Sequence, residues 1–403
     1  MPDFIKTDKK KSCFGCRACE QICPNRSVSM LEDEEGFIYP HVNESLCTGC
    51  GLCVRHCPQL KDVVFSGHSD TPKVFAAKLK NSEILLRSSS GGMFSAIAET
   101  VIENGGVVFG CAFDNNLTAR HICADKKEAL ASLRGSKYVA SDLNNTYIQA
   151  LNYLKQGQRV FYTGTPCQIA GLKAFLGRDY ENLLTADLIC HGVPSQKLFS
   201  KYLDWLKVKL GGQIIAFDFR NKEKRGWGFC CKVETAAKAR HLNAEFDPYY
   251  SAFLEAKTYR YSCYSCKYAK TAREGDLTIA DYWGIEFFHP GFYSKKGVSL
   301  LLVNSLKGQK MFEALKDKAD CIPSKLEYAV YNNVNLTGPS KMPSSRTAIY
   351  KEIDALDFGL YARKYLKPSN KLKAVIKTII PQPFRLMLKK LLFKISFSRG
   401  KIN

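Results

Sequence analysis

Hydrophobic positions divide the chain into an irregular beginning, a long middle where strands and helices alternate, and an amphipathic end. Before residue 60 the apolar runs are short. There, Phe37-Ile38-Tyr39 reads as a strand following Glu32-Asp33-Glu34-Glu35-Gly36, whose acidic residues read as a solvated turn. A polar link containing Gly67-His68-Ser69-Asp70-Thr71-Pro72 marks the expected domain boundary. Beyond it, Val74-Phe75-Ala76-Ala77 reads as a strand. A Ser/Gly stretch, Ser88-Ser89-Ser90-Gly91-Gly92, then opens a helix whose apolar face is Met93, Phe94, Ile97, Ala98, Val101 and Ile102. The next strand begins at Val107.

The middle of the chain repeats that alternation. Residues 159–163 read as a strand, Thr165 as an N-cap and Pro166 as the first residue of a helix running to about Leu176. A strand over 183–189 follows, broken by Cys190-His191-Gly192-Val193-Pro194 before a helix over 195–210. Such a βαβα order predicts two parallel, neighbouring strands in an α/β domain with a mainly parallel or mixed sheet. At the far end, Phe384, Met387, Leu388, Leu391, Leu392 and Ile395 share one helical face beside Lys389, Lys390 and Lys394. A basic amphipathic helix of this kind either lies on an anionic membrane surface or docks on the domain or a partner subunit.

Cysteine spacing changes the picture of the beginning. Cys13-x-x-Cys16-x-x-Cys19-x-x-x-Cys23-Pro24 recurs with the same spacing as Cys47-x-x-Cys50-x-x-Cys53-x-x-x-Cys57-Pro58. This is the bacterial ferredoxin run, in which three thiolates hold one 4Fe–4S cube and the fourth reaches to the other. It assigns Cys13, Cys16, Cys19 and Cys57 to one cluster and Cys47, Cys50, Cys53 and Cys23 to a second. Zinc also binds C-x-x-C pairs, but gives no reason for the third Cys or for the Cys-Pro endings. The chain therefore handles electrons one at a time, and its first 62 residues form an α+β ferredoxin-like segment.

Composition adds limits. The 403 residues greatly exceed a ferredoxin. The start lacks an apolar signal core, and cluster thiolates need a reducing compartment, so a cytoplasmic protein is expected, with the tail at the inner face of the membrane as one alternative. Of the net charge of +21, twelve Lys or Arg residues fall between Arg363 and Asn403, where no Asp or Glu occurs. No nucleic-acid motif accompanies them, so no nucleic-acid partner is expected.

Further chemistry is scattered. Cys167 and Cys190 fall just past the carboxyl ends of their expected strands, where open α/β sheets bind ligands. Cys167 also opens a helix, a position expected to favour its thiolate. Cys263-x-x-Cys266, taken alone, suits zinc, a redox dithiol or packing; with Cys167 and Cys190 it makes the four thiolates a third cubane requires. The Ser89-Ser90-Gly91-Gly92 loop either cradles a phosphate at the helix N-terminus or simply caps the helix.

In this order and over this length, the chain resembles the family of coenzyme F420 hydrogenase/dehydrogenase beta subunits, with a fused two-cluster ferredoxin segment. The resemblance rests on the doubled cysteine run, Ser89 to Gly92, Arg134-Gly135-Ser136-Lys137-Tyr138, Gly164-Thr165-Pro166-Cys167-Gln168, Cys190 to Pro194, Cys263 with Cys266, and 276–284, where Ala280 replaces a common Gly. It implies an FAD- and 4Fe–4S-dependent oxidoreductase, with FAD contacts at Ser89, Ser90, Gly91, Gly92, Arg134, Gly135, Ser136, Lys137 and Tyr138. It also implies cluster ligation by Cys167, Cys190, Cys263 and Cys266, while His191 is a weak candidate for proton transfer. The implied domains are 1–62 (ferredoxin), 72–350 (flavin) and 351–403 (basic tail). The two-electron substrate would be coenzyme F420 or a metabolite, some relatives accompanying surface-polysaccharide synthesis, and the one-electron partner ferredoxin or another redox protein. The alternative is a non-catalytic electron-transfer subunit that docks on a separate enzyme.

Overall fold

The computed structural model describes residues 9–62 and 67–368, together with Ile380, Phe384 and Met387. The expected basic helix at 384–395 thus lies outside the described residues, apart from two of its positions. Among the described residues no helix is long and apolar enough to cross a membrane.

The first segment is small. A one-turn helix α1 (Ala18–Gln21) precedes an antiparallel hairpin of β1 (Val28–Glu32) and β2 (Ile38–Val42). Asp33 makes the turn: its Oδ1 accepts from the N–H groups of Glu35 at 3.0 Å and Phe37 at 2.9 Å.

The remainder is built on β3 (His68–Leu79), α2 (Met93–Glu103), β4 (Val107–Phe113), β5 (Ala119–Ala124), α3 (Thr146–Lys155), β6 (Val160–Gly164), α4 (Pro166–Leu176), β7 (Leu183–Leu188) and α5 (Gln196–Leu210). After these come β8 (Ile214–Asp218), β9 (Cys230–Thr235), β10 (Ala239–Asn243), β11 (Leu277–Asp281), β12 (Ser299–Ser305), β13 (Ala319–Ser324) and α6 (Arg346–Lys351). Among the described residues an eight-stranded sheet runs β13-β3-β12-β11-β7-β6-β4-β5. Its centre is parallel, with β11 beside β7, β7 beside β6 and β6 beside β4, and its flanks are antiparallel. The sheet is therefore mixed. The expected pairing of the strands around Cys167 holds, with Val160 opposite Leu183 and Gly164 opposite Asp187. Strands β8, β9 and β10 form a separate antiparallel sheet.

Two expectations need correction. The stretch from His68 to Pro72 is not a link but the start of β3, pairing His68 with Ser305. Pro72 is tolerated because the ladder is irregular there, between Val303 and Ser305, so no strand partner needs its missing N–H. Nor is the acidic turn wholly solvated. Glu35 is buried and accepts two hydrogen bonds from the fully buried Arg346 of α6, at 3.1 and 2.6 Å.

That pair belongs to a set of contacts fastening the hairpin to the large domain. Arg260 donates from Nε to the Cys13 carbonyl at 2.7 Å and from Nη2 to the Ile38 carbonyl at 2.8 Å, with its guanidinium 4.1 Å from the Tyr39 ring centroid. Gln21 Oε1 accepts from Tyr147 N–H at 3.0 Å and Ile148 N–H at 3.3 Å, satisfying donors in the first turn of α3 that have no partner within the helix. The segment is thus a fixed part of the molecule.

Removing Glu35 strands a buried guanidinium. Glu35→Ala should destabilise the anaerobically prepared protein by about 3–5 kcal/mol in urea denaturation, whereas Glu35→Leu combined with Arg346→Met should recover most of the loss.

Candidate functional site

The parallel strands direct the chain's chemistry to one edge. Past the end of β6, Thr165 N-caps α4, Pro166 takes the first helical position, and Gln168 Oε1 accepts from Thr165 N–H at 2.9 Å. This fixes Cys167 in the first turn. Past β7 the chain turns at Cys190 and His191. The loop carrying Cys263 and Cys266 is drawn to the same place by Arg273, which donates to the carbonyls of Leu188 at 2.8 Å, Lys270 at 3.0 Å and Tyr268 at 3.2 Å. Arg273 is neutralised by Asp187, 3.2 Å away and fully buried. Arg260 N–H also bonds the Val193 carbonyl at 2.9 Å, tying the two loops together.

The four thiols so gathered sense one another. Burial pushes Cys167 up to about 12 and Cys263 up to about 11, and Cys190 well above the ordinary thiol range. In each, the charges of other members of the set raise the value further. Cys167 does stand in the first turn of α4, where burial raises its thiol. Iron would supply the missing driving force, since coordination deprotonates a thiol outright.

The N-terminal segment brings together two further sets. Cys13, Cys16, Cys19 and Cys57 line one cavity with Phe14, Arg17, Met30, Pro40, Pro58 and Gln59. Cys53 is raised by burial and then by Cys23 and Cys47, while Cys47 and Cys50 are exposed. Among the described residues no three His, Cys, Asp or Glu side chains converge tightly enough to hold a single metal ion. The first set instead surrounds a space, an arrangement that suits a multi-atom cluster. Four thiols around apolar walls fit a cubane.

The three sets stand in file. Cys19 senses Cys53 of the outer set, and Cys16 senses Cys167 of the domain's set. The second junction is tight. Gly171 lies one turn beyond Cys167 on α4, and a Cβ on it would stand 2.9 Å from Cys16 Cβ and 3.1 Å from Cys16 Sγ. Buried Tyr147 and Tyr268 flank this junction, each within electrostatic reach of both Cys16 and Cys167.

The expected flavin residues also meet, though in an altered division of labour. Gly91 is a packing glycine: its N–H donates to Ser299 Oγ at 2.9 Å, and a Cβ there would stand 2.3 Å from the Ala77 carbonyl oxygen. Ser90 Oγ donates to the Val298 carbonyl at 2.9 Å, and Gly92 N-caps α2 in the left-handed region. Ser89 faces the second motif, its Oγ accepting from Ser136 N–H at 2.7 Å and lying 3.0 Å from Ser136 Oγ. Gly135 has open space where its Cβ would be. Lys137 donates to the carbonyls of Ser132 and Arg134, has Asp218 within electrostatic reach, and is lowered by burial to about 8. Arg134 instead pairs with Glu99 and donates to Ser95.

Arg220, which the sequence did not single out, joins these motifs. It makes a bidentate pair with Asp281 at 2.7 and 3.0 Å, donates to Tyr138 Oη at 2.9 Å and reaches the Ser89 carbonyl at 3.3 Å. Trp227 Nε1 donates to the same carboxylate at 2.5 Å, and its ring stacks on Trp283 at 4.9 Å. His191 is exposed on its loop, and desolvation lowers its pKa. Its electrostatic partners there are Asp281 and Arg220. The signal for Arg220 was faint: a lone Arg in Asp218-Phe219-Arg220-Asn221-Lys222 after a strand.

Comparison with known proteins agrees with this layout. Residues 74–147 and 157–327 match the families described as coenzyme F420 hydrogenase/dehydrogenase, the N-terminal and C-terminal parts of its beta subunit, and residues 12–60 match a 4Fe-4S dicluster domain. Among curated proteins, one of the subunits of the F(420)H(2) dehydrogenase of Methanosarcina mazei is 23% identical over 176 residues, covering 41% of this chain and 49% of its own. Coenzyme F420-dependent sulfite reductase of Methanocaldococcus jannaschii is 27% identical over 169 residues, covering 40% and 24%. The chain thus spans half or less of the length of these relatives. A chain in a xenon-derivatized structure of the F420-reducing [NiFe] hydrogenase complex from Methanosarcina barkeri has a TM-score of 0.44 at 14% identity, covering 75% of this chain and 90% of that one, too distant a likeness to build on.

The junction at Gly171 yields a direct test. Gly171→Val should displace Cys16 and remove about four irons per chain, the content of one cubane, by colorimetric iron assay. Gly291→Ala, at an exposed position with open space around it, should keep its iron.

Proposed function

We propose a function from one premise: the chain belongs to the family of coenzyme F420 hydrogenase/dehydrogenase beta subunits and carries 4Fe–4S electron-transfer chemistry. It is an oxidoreductase that exchanges two electrons with coenzyme F420 at the carboxyl edge of the sheet and passes them singly along three 4Fe–4S centres. The observation that carries this reading is the file of cysteine sets, joined where Cys16 meets Gly171 one turn from Cys167. The outermost set, with Cys47 and Cys50 exposed, serves a ferredoxin or another redox protein. F420 is chosen as substrate because the family and two of its matched relatives bear that coenzyme in their names.

Between a two-electron substrate and one-electron centres a flavin is required, since a flavin accepts a hydride and releases electrons singly. FAD would be held by Ser89, Ser136 and the backbone at Gly135, with Lys137 as the cation for its pyrophosphate. Gly91 takes no part in that contact, its N–H being committed to Ser299. Arg220 and Asp281 hold Ser89 and Tyr138 in place around the ligand. His191, with Asp281 and Arg220 as its electrostatic neighbours, would exchange a proton with substrate.

Anaerobic purification should give about 12 irons and one FAD per chain, and Cys167→Ser should lose about four irons, one cubane. Bleaching of the flavin absorbance by reduced F420 is the expected outcome of mixing; an unchanged spectrum would exclude F420 as substrate. Because Lys137 carries its charge below about 8, FAD affinity should fall about tenfold between pH 7 and pH 9.5, by fluorescence titration. Lys137→Gln should flatten that profile.

A further inference from the structure

Hydroxyl groups reach two of the three cysteine sets. Thr165 Oγ1 lies 3.2 Å from Cys167 Sγ. Ser27 Oγ lies 3.1 Å from Cys23 Sγ, and Ser27 N–H donates to the same sulfur at 3.3 Å. Between a thiol and a hydroxyl either group can donate. An iron-bound sulfur has no proton, so there the hydroxyl must be the donor. Cys167 belongs to the domain's set and Cys23 to the outer set. In the middle set the donors are backbone N–H groups, Gly15 to Cys13 Sγ at 3.4 Å, Ala18 to Cys16, and Gln59 and Leu60 to Cys57, and among the described residues no hydroxyl bonds to the sulfur of Cys13, Cys16, Cys19 or Cys57.

The surroundings of the middle set act in the same direction. Its cavity has walls of Phe14, Met30, Pro40 and Pro58. Each added electron makes a cluster more negative, so a donor aimed at its sulfur favours reduction and an apolar shell opposes it. Resting on the three-centre reading above, we infer that the hydroxyls of Thr165 and Ser27 hold the two end centres at higher potential than the middle one. The file is then a low step between two higher ones. An electron leaving one end centre oxidises it, crosses the middle centre without accumulating there, and reduces the other end. The low step keeps the flavin end and the partner end electronically distinct, so each can hold an electron while the other waits for its reactant.

The test is a potentiometric titration of the anaerobic full-length protein followed by electron paramagnetic resonance, with iron counted in every sample. Two waves should lie above a third. Ser27→Ala should move one upper wave to more negative potential by about tenfold in its one-electron reduction equilibrium, or about 59 mV, and Thr165→Val should move the other. Ser27→Thr and Thr165→Ser, which keep the hydroxyl, should leave them in place. Thr165 also caps α4, so if Thr165→Val fails to load iron, Ser27→Ala decides alone, its change lying outside any helix cap. The inference is overturned if an iron-replete apolar variant titrates as the parent does, or if the wave that moves is the lowest. A parent iron count of about 8, two cubanes, would instead defeat the three-centre reading and leave the Ser27 arm to be read at the outer centre.

Discussion

At Gly171 the N-terminal segment and the α/β domain come as close as side-chain packing allows, with Cys16 resting where any Cβ would be. The rest of the arrangement depends on that approach. Electron transfer between centres requires short distances, and a helix surface bearing ordinary side chains would hold the cysteine sets apart. Gly171 removes the obstacle on the same face of α4 that carries Cys167. A glycine inside a helix costs roughly 1 kcal/mol relative to alanine, and the burial of α1 against α3 and α4 offsets it. Ala18 is fully buried there, among residues that include Tyr147, Ile169 and Leu172.

Arginines then hold the approach rigid. Arg260 binds the carbonyl of Cys13 and lies three residues before Cys263, so one side chain fixes the spacing between two cysteine sets. Arg273, neutralised by Asp187, draws the Cys263 loop to the end of β7 beside Cys190. Buried cations do more than tether. Cysteine sulfurs that ligate iron carry negative charge into a poorly solvated region, and the thiols here are pushed up by burial. In that state they resist ionisation without metal. On the three-centre reading, iron binding and completion of this part of the fold would be coupled, as in other metal-dependent sites, with the guanidinium groups compensating charge that arrives with the clusters.

This explains which parts were readable from sequence. The dicluster segment was legible because its pattern is local, with three cysteines three residues apart and a Cys-Pro ending, each given twice. The strands and helices around Cys167 and Cys190 were legible from periodicity and caps, and their register follows from the βαβ rule. The third set was assembled only by counting, because a sheet, not a spacing, brings residues 167, 190, 263 and 266 together. Gly171, Arg220, Arg260 and Arg273 could not be found: their partners lie far away in the chain, and nothing local marks an arginine that will meet a carbonyl in another segment. Glu35 misled for the same reason, since a run of four acidic residues reads as solvated until one of them meets Arg346. The Ser/Gly loop was ambiguous because a glycine kept for packing and one kept for phosphate look alike, and at Gly91 the packing role is visible in Ser299 and Ala77.

Burial gives the file of centres a direction in space. The outer set opens to solvent at Cys47 and Cys50, whereas Cys190 of the domain's set is desolvated, next to His191, whose electrostatic partners are Asp281 and Arg220. On the reading proposed above, a one-electron partner would meet the outer end and a small two-electron substrate the carboxyl edge of the sheet. The ferredoxin hairpin, pinned by Glu35–Arg346 and by Arg260, cannot swing between them. On the proposed reading, separation of the two reactions would come from the fixed file itself, through the different surroundings of its sulfurs. Rigid docking and unequal hydrogen bonding are thus two halves of one device: the first fixes where electrons go, and the second where they rest.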